Sequence, residues 1–125
     1  MKTILIADDD QDVRDCISMR LVRNPRFRIM EAASGRDALD LARQEHPDLV
    51  ILDWSMPGLS GIEFMQALRA DPTMADTPVI MMTGKNAPAE LAQARALGVC
   101  AYLVKPFDLA EIMQKIQETL PEEPS

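Results

Sequence analysis

This sequence predicts an α/β domain, a doubly wound five-stranded parallel sheet carrying five helices. Three observations lead there. Short apolar runs alternate with stretches of helical periodicity, five times in succession. Four of those runs are continuous rather than alternating, as strands buried on both faces of a parallel sheet demand. Polar residues of complementary chemistry follow directly on the runs, at the strand ends where open α/β sheets bind ligands.

The first strand is "TILIA" at 3–7, which runs straight into Asp8, Asp9 and Asp10. Asp10 is placed to cap a helix whose apolar positions Val13, Ile17 and Leu21 recur every four residues. "FRIMEA" at 27–32 alternates more and reads as a strand near a sheet edge. Ser34 then caps a second helix with an apolar stripe of Ala38, Leu41 and Ala42. That helix ends near His46, which reads as an exposed C-terminal residue ahead of Pro47. "LVIL" at 49–52 is the third strand, closed by Asp53, and Ser60 and Gly61 open a helix bearing Ile62, Met65 and Leu68. "VIMM" at 79–82 is the fourth strand, followed by Thr83. The fourth helix tolerates Pro88 in its first turn, carries Leu91, Ala94 and Leu97, and stops at Gly98. "AYLV" at 101–104 is the fifth strand and delivers Lys105. Asp108 leads into the clearest helical stripe, Leu109, Ile112, Met113, Ile116 and Leu120. Most of the nine methionines fall on these stripes and strands as core filler, and Cys100 reads as a small core residue. Residues 1–120 thus form one domain, and 121–125, "PEEPS", an acidic proline-rich tail or the start of a linker.

The bulk numbers narrow the function. A chain of 125 residues with 47% hydrophobic content can build one real core. Its net charge of -7 argues against nucleic acid bound through a broad basic face, and against an anionic membrane surface. Cys16 and Cys100 lie far apart and form no metal-binding spacing, which fits a reducing compartment. The opening residues turn acidic too soon for a signal peptide, and no run approaches a membrane span. A cytoplasmic protein is expected.

The acidic stretch after the first strand has to be explained. Two carboxylates ~5 Å apart at an effective dielectric of ~20 repel by roughly 3 kcal/mol. Capping accounts for Asp10 and Asp12, but not for Asp8 and Asp9. In a parallel sheet Asp8, Asp9, Asp53, Thr83 and Lys105 all reach one edge. Clustered carboxylates without a neighbouring His or Cys suit a hard divalent cation, and Mg²⁺ also takes phosphate oxygens. A cation there would let the acids coexist and let phosphate enter an acidic pocket. Lys105 and the Thr83 hydroxyl suit phosphate oxygens, and one carboxylate can act as nucleophile to form an acyl phosphate.

This constellation resembles the receiver domain of bacterial two-component response regulators over nearly the whole chain. The resemblance rests on Asp8-Asp9, on "DWSMPGLSG" at 53–61 with its D-x-x-M-P-x-x-x-G pattern, on "MMTG" at 81–84 and on "AYLVKPF" at 101–107. It implies the flavodoxin-like strand order 2-1-3-4-5 and a stand-alone, chemotaxis-type switch rather than an enzyme acting on a separate substrate. It further implies that Asp53 accepts a phosphoryl group, with Mg²⁺ held by Asp8, Asp9, Asp53 and the backbone carbonyl of Ser55. Asp9 would be the more direct ligand, and Asp8 would act partly through water. Lys105 would pair with Asp53 and a phosphoryl oxygen, next to a cis bond to Pro106. Thr83 and Tyr102 would form the switch, although Tyr102 also fits an ordinary strand aromatic. Ser55 and Lys85 stand where the family sets the lifetime of the phosphoryl group. The implied partners are a sensor histidine kinase or a histidine phosphotransfer protein, and a downstream output protein bound through the fourth helix, fifth strand and fifth helix. No direct contact with nucleic acid or membrane is expected, and the sequence permits a homodimer on activation.

Three rivals are weaker. A haloacid-dehalogenase-type phosphohydrolase would use Asp8 and Asp10 as D-x-D, but leaves Asp53-x-x-Met-Pro and Lys105-Pro106-Phe107 without a role. A flavodoxin-like cofactor binder needs a Gly/Ser/Thr phosphate loop where this chain is acidic. A receiver with a dead site would not keep all of these residues.

Overall fold

The protein is described by a computed structural model covering residues 1–56, 58–84 and 88–121. Pro57, Lys85 and the tail 122–125 lie outside the described residues. The elements follow the expected order: β1 (Lys2–Ala7), α1 (Gln11–Leu21), β2 (Phe27–Ala32), α2 (Gly35–Glu45), β3 (Leu49–Asp53), α3 (Gly61–Ala70), β4 (Val79–Thr83), α4 (Pro88–Ala96), β5 (Ala101–Val104) and α5 (Leu109–Thr119). All four strand pairings are parallel and the sheet order is β2-β1-β3-β4-β5. The strand order therefore reverses between β1 and β3, the switch point that creates a crevice at the C-terminal sheet edge.

Period-two side-chain alternation divides the core between the two faces. Leu5, Ala7, Val50, Leu52, Val79 and Met81 face one way and pack with α2, α3 and α4. Ile4, Ile6, Leu49, Ile51, Ile80, Met82 and Leu103 face the other way and pack with α1 and α5. Because both faces are covered, residues 4–7, 49–52 and 79–82 of these strands are apolar at every position, which is why the runs do not alternate.

The helix starts are where local chemistry puts them. The side chains of Asp10, Ser34, Ser60 and Asp108 each accept a backbone N–H of the first turn, and Ser60 with Glu63 completes a capping box. Gly98 ends α4 with φ +87°, a conformation that a side chain would strain. His46 is exposed and closes α2 in a left-handed conformation, φ 47°.

Some expectations fail. "AYLV" is not buried on both faces: β5 is an edge strand with only β4 beside it, and only Leu103 is fully buried. Cys100 is exposed rather than in the core. It precedes β5 at the N-terminal rim, where its Sγ donates to the Val79 carbonyl at 3.3 Å. On α2 the buried leucine is Leu39, with Leu41 only half-buried, because the helix turns a wider face to the sheet than the expected stripe. Leu109 opens α5 exposed, one turn before the helix meets the sheet.

Candidate functional site

The crevice at the switch point is walled by β1 and β3. Asp8 follows β1 directly and is 0% exposed. Its amide donates to the Ala32 carbonyl at the end of β2, at 3.1 Å. Its Oδ1 accepts the Asp10 N–H at 2.9 Å, and its Oδ2 accepts Lys105 Nζ at 2.7 Å. Asp9, the next residue, is exposed. Asp53 ends β3 one register step beyond the Leu52–Ala7 pair, so the parallel pairing itself delivers it beside the acidic loop. Carboxylate oxygens of Asp8, Asp9 and Asp53 all lie within 4.8 Å of one another.

Lys105 comes from the opposite wall. It follows β5, its amide donates to the Thr83 carbonyl at 2.7 Å, and its bond to Pro106 is cis as expected. Its ammonium lies 2.7 Å from Asp8 and 3.5 Å from Asp53 Oδ2. Burial pushes that ammonium's pKa down. The hydrogen bond to Asp8 and the charges of Asp53 and Asp8 outweigh the effect, and it stands above the ordinary lysine value. Asp53 is raised above its ordinary 3.8: burial is the main cause, the Asp8 and Asp9 charges add to it, and the Ser55 N–H and Lys105 oppose it. Its Oδ1 accepts that Ser55 N–H at 3.2 Å. Asp53 is thus a carboxylate whose negative charge is held at a cost.

Backbone bonds hold Trp54, the residue after Asp53. The Trp54 N–H donates to the Met82 carbonyl at 2.8 Å, and the Trp54 carbonyl accepts the Gly61 N–H at 3.3 Å. The indole is buried against Gly61, where a Cβ would come within 2.4 Å of ring atoms. Gly35, at the start of α2, is as close to the Leu59 backbone. Thr83, the last residue of β4, is buried. Tyr102 is half-buried in β5 on the α4 face, with the Arg95 guanidinium 5.8 Å from its ring centroid.

The residues expected at the sheet edge therefore meet there: Asp8, Asp9, Asp53 and Lys105 in direct contact range, with Thr83 joined through the Lys105 backbone. Tyr102 stands apart, on the flank. An all-oxygen cluster fits a hard divalent cation, and because Asp8 already accepts protein donors at both its oxygens, the exposed Asp9 is the freer ligand of the two. Asp10 accepts the Asp12 N–H and caps α1, which leaves the D-x-D pairing of Asp8 with Asp10 without support. Sequence reasoning missed Arg14, whose guanidinium reaches the Asp8 backbone, and the paired clamp of Gly35 and Gly61. A single arginine in an acidic opening turn was the available signal for the first.

Comparisons with known proteins bear on the family and the fold. The family profile of the response regulator receiver domain matches residues 4–117. The phosphate regulon transcriptional regulatory protein PhoB of Pseudomonas aeruginosa is 34% identical over 119 residues, which are 95% of this chain and 52% of that protein, so this chain spans about half its length. A chemotaxis protein CheY homolog of Campylobacter jejuni is also 34% identical, over 94% of this chain and 91% of its own. In structure, the chemotaxis response regulator CheY4 of Vibrio cholerae superposes with a TM-score of 0.87 at 31% identity, covering 95% of this chain and 98% of that one.

Proposed function

Because this chain belongs to the response regulator receiver domain family, we propose that it is a phosphorylation-driven switch in which Asp53 receives a phosphoryl group from a sensor histidine kinase or a histidine phosphotransfer protein. The contact of Lys105 with both Asp8 and Asp53 is the observation that carries this reading. A lysine cation stands beside Asp53, the carboxylate that would react, and the acids around it would take a second cation.

An oxygen of Asp53 attacks the phosphorus of the phosphohistidine. The new P–O bond forms as the P–N bond breaks, and the imidazole leaves with the electron pair. Asp8, Asp9, Asp53 and the Ser55 carbonyl would hold Mg²⁺, which when bound neutralises the acids and the incoming phosphoryl oxygens. Lys105 is positioned to exchange its contact with Asp53 for one with a phosphoryl oxygen. The Thr83 hydroxyl then has a new acceptor at the strand ends, and the half-buried Tyr102 ring can take a second packing as Thr83 moves. The population shift between the two packings would present α4, β5 and α5 to an output protein, and a homodimer on that face is one form the output can take. The protein would work in the cytoplasm and bind neither nucleic acid nor membrane itself; among the described residues no helix is long and apolar enough to cross a membrane. Its chemistry is confined to its own phosphorylation and dephosphorylation, as befits a signalling protein.

The test is phosphotransfer from a panel of purified histidine kinases, with acetyl phosphate as a small donor. Wild-type protein should gain label in the presence of Mg²⁺ and Asp53→Asn should not. Equal labelling of both proteins would overturn the assignment of Asp53.

A further inference from the structure

Arg14 lies in the first turn of α1, behind the acidic loop, with its amide bonded to the Asp10 carbonyl at 3.2 Å. Its Nη1 donates to the Asp8 backbone carbonyl at 2.7 Å, and its Nε lies 3.3 Å from Glu31 Oε1 on β2. The side chain is 15% exposed, so the guanidinium is held rather than free in solvent. Asp8 is consequently tied at every polar atom: its amide to Ala32, its carbonyl to Arg14, one carboxylate oxygen to the Asp10 amide and the other to Lys105. A fixed carbonyl fixes the plane of the peptide that joins Asp8 to Asp9. The Asp9 Cα lies in that plane, so the plane sets where the exposed Asp9 side chain starts.

We propose that Arg14 is a positioning residue for the cation site: anchored by Glu31, it holds the Asp8–Asp9 peptide in the orientation that lets the Asp9 carboxylate converge with those of Asp8 and Asp53. The proposal rests on the reading that these carboxylates bind Mg²⁺. Positioning and plain charge predict opposite signs. A guanidinium near the cluster repels a dication, so if Arg14 acted only through its charge, removing it would tighten Mg²⁺ binding. If it orients the ligands, removing it weakens binding, and partners behind metal ligands commonly matter by ~10–100-fold in affinity.

The experiment titrates Mg²⁺ into wild-type protein, Arg14→Met and Arg14→Lys by isothermal calorimetry, with Trp54 emission as a second readout. Circular dichroism and thermal melts check each fold, and Arg14→Lys, which keeps a charge and a donor, carries the test if Arg14→Met does not fold. Arg14→Met should raise the Mg²⁺ dissociation constant about 10-fold, with Arg14→Lys intermediate. The deficit in Asp53 phosphorylation should shrink as Mg²⁺ is raised, as expected when an apparent affinity rather than the chemical step is damaged. An unchanged or tighter Mg²⁺ affinity, with or without a lower melting temperature, would overturn positioning and leave the reading of the site intact. Wild-type protein that binds no Mg²⁺ would overturn both.

Discussion

Asp53 and Lys105 show how far a single buried charge depends on its neighbours. Asp53 is raised above 3.8 chiefly by burial, so between that value and its own pKa the folded protein holds a proton that the unfolded chain has released. Stability without metal therefore falls as pH rises through the folded pKa, and the loss persists above it. Asp53→Asn removes the penalty and leaves Lys105 its shorter bond to Asp8. It should melt above wild type at pH 7 in chelator, with the gap closing as pH approaches 4; a wild type that is equally stable at pH 7 would contradict the penalty. Lys105 has the opposite dependence. Its raised pKa means that its contribution is complete below 10.5 and fades as pH rises through the folded value. Lys105→Met would leave the fully buried Asp8 without its cation, which should cost about 3 kcal/mol in metal-free denaturant melts at pH 7. A loss under about 0.5 kcal/mol, the range of ordinary surface substitutions, would mean that Asp8 finds another partner.

At the scale of elements, Trp54 and the start of α3 are held together by close approach. Gly61 opens α3 beneath the Trp54 ring, and the ring is too buried to swing aside. Gly61→Ala should destabilise the fold by about 2 kcal/mol through overpacking and should shift Trp54 emission toward that of a more exposed indole. An unaltered spectrum and melt would show that the indole is not the constraint. The elements also show what can be read from sequence. The apolar runs of β1, β3 and β4 were legible because burial on both faces selects apolar residues ahead of the strand ends. The caps Asp10, Ser34, Ser60 and Asp108 were legible because a free backbone N–H selects the same few side chains. β5 was misjudged because an apolar run has the same appearance whether its faces are covered or, as here, only Leu103 is buried. Cys100 was misjudged for the same reason, being the residue just before the run.

The whole molecule turns a one-dimensional pattern into a site through its parallel topology. Every strand brings its C-terminal residue to one edge, and the reversal of order between β1 and β3 opens the crevice there. Hence Asp8, Asp9, Asp53, Thr83 and Lys105, up to 97 residues apart in the chain, could be grouped before any contact was known. Contacts made to backbone atoms were not legible in this way. Arg14 on the Asp8 carbonyl and Gly35 against Leu59 depend on where a loop runs in space, and residue types alone carry no record of that. On the proposed reading, a divalent cation would join the acid cluster and relieve its repulsion. Calorimetric titration of metal-free protein with Mg²⁺, followed by thermal melts, tests this directly. Saturable uptake, lost in Asp9→Asn, should add about 2.7 kcal/mol of stability at 100 times the dissociation constant. Well-folded wild-type protein that takes up no Mg²⁺ and gains no stability would contradict it.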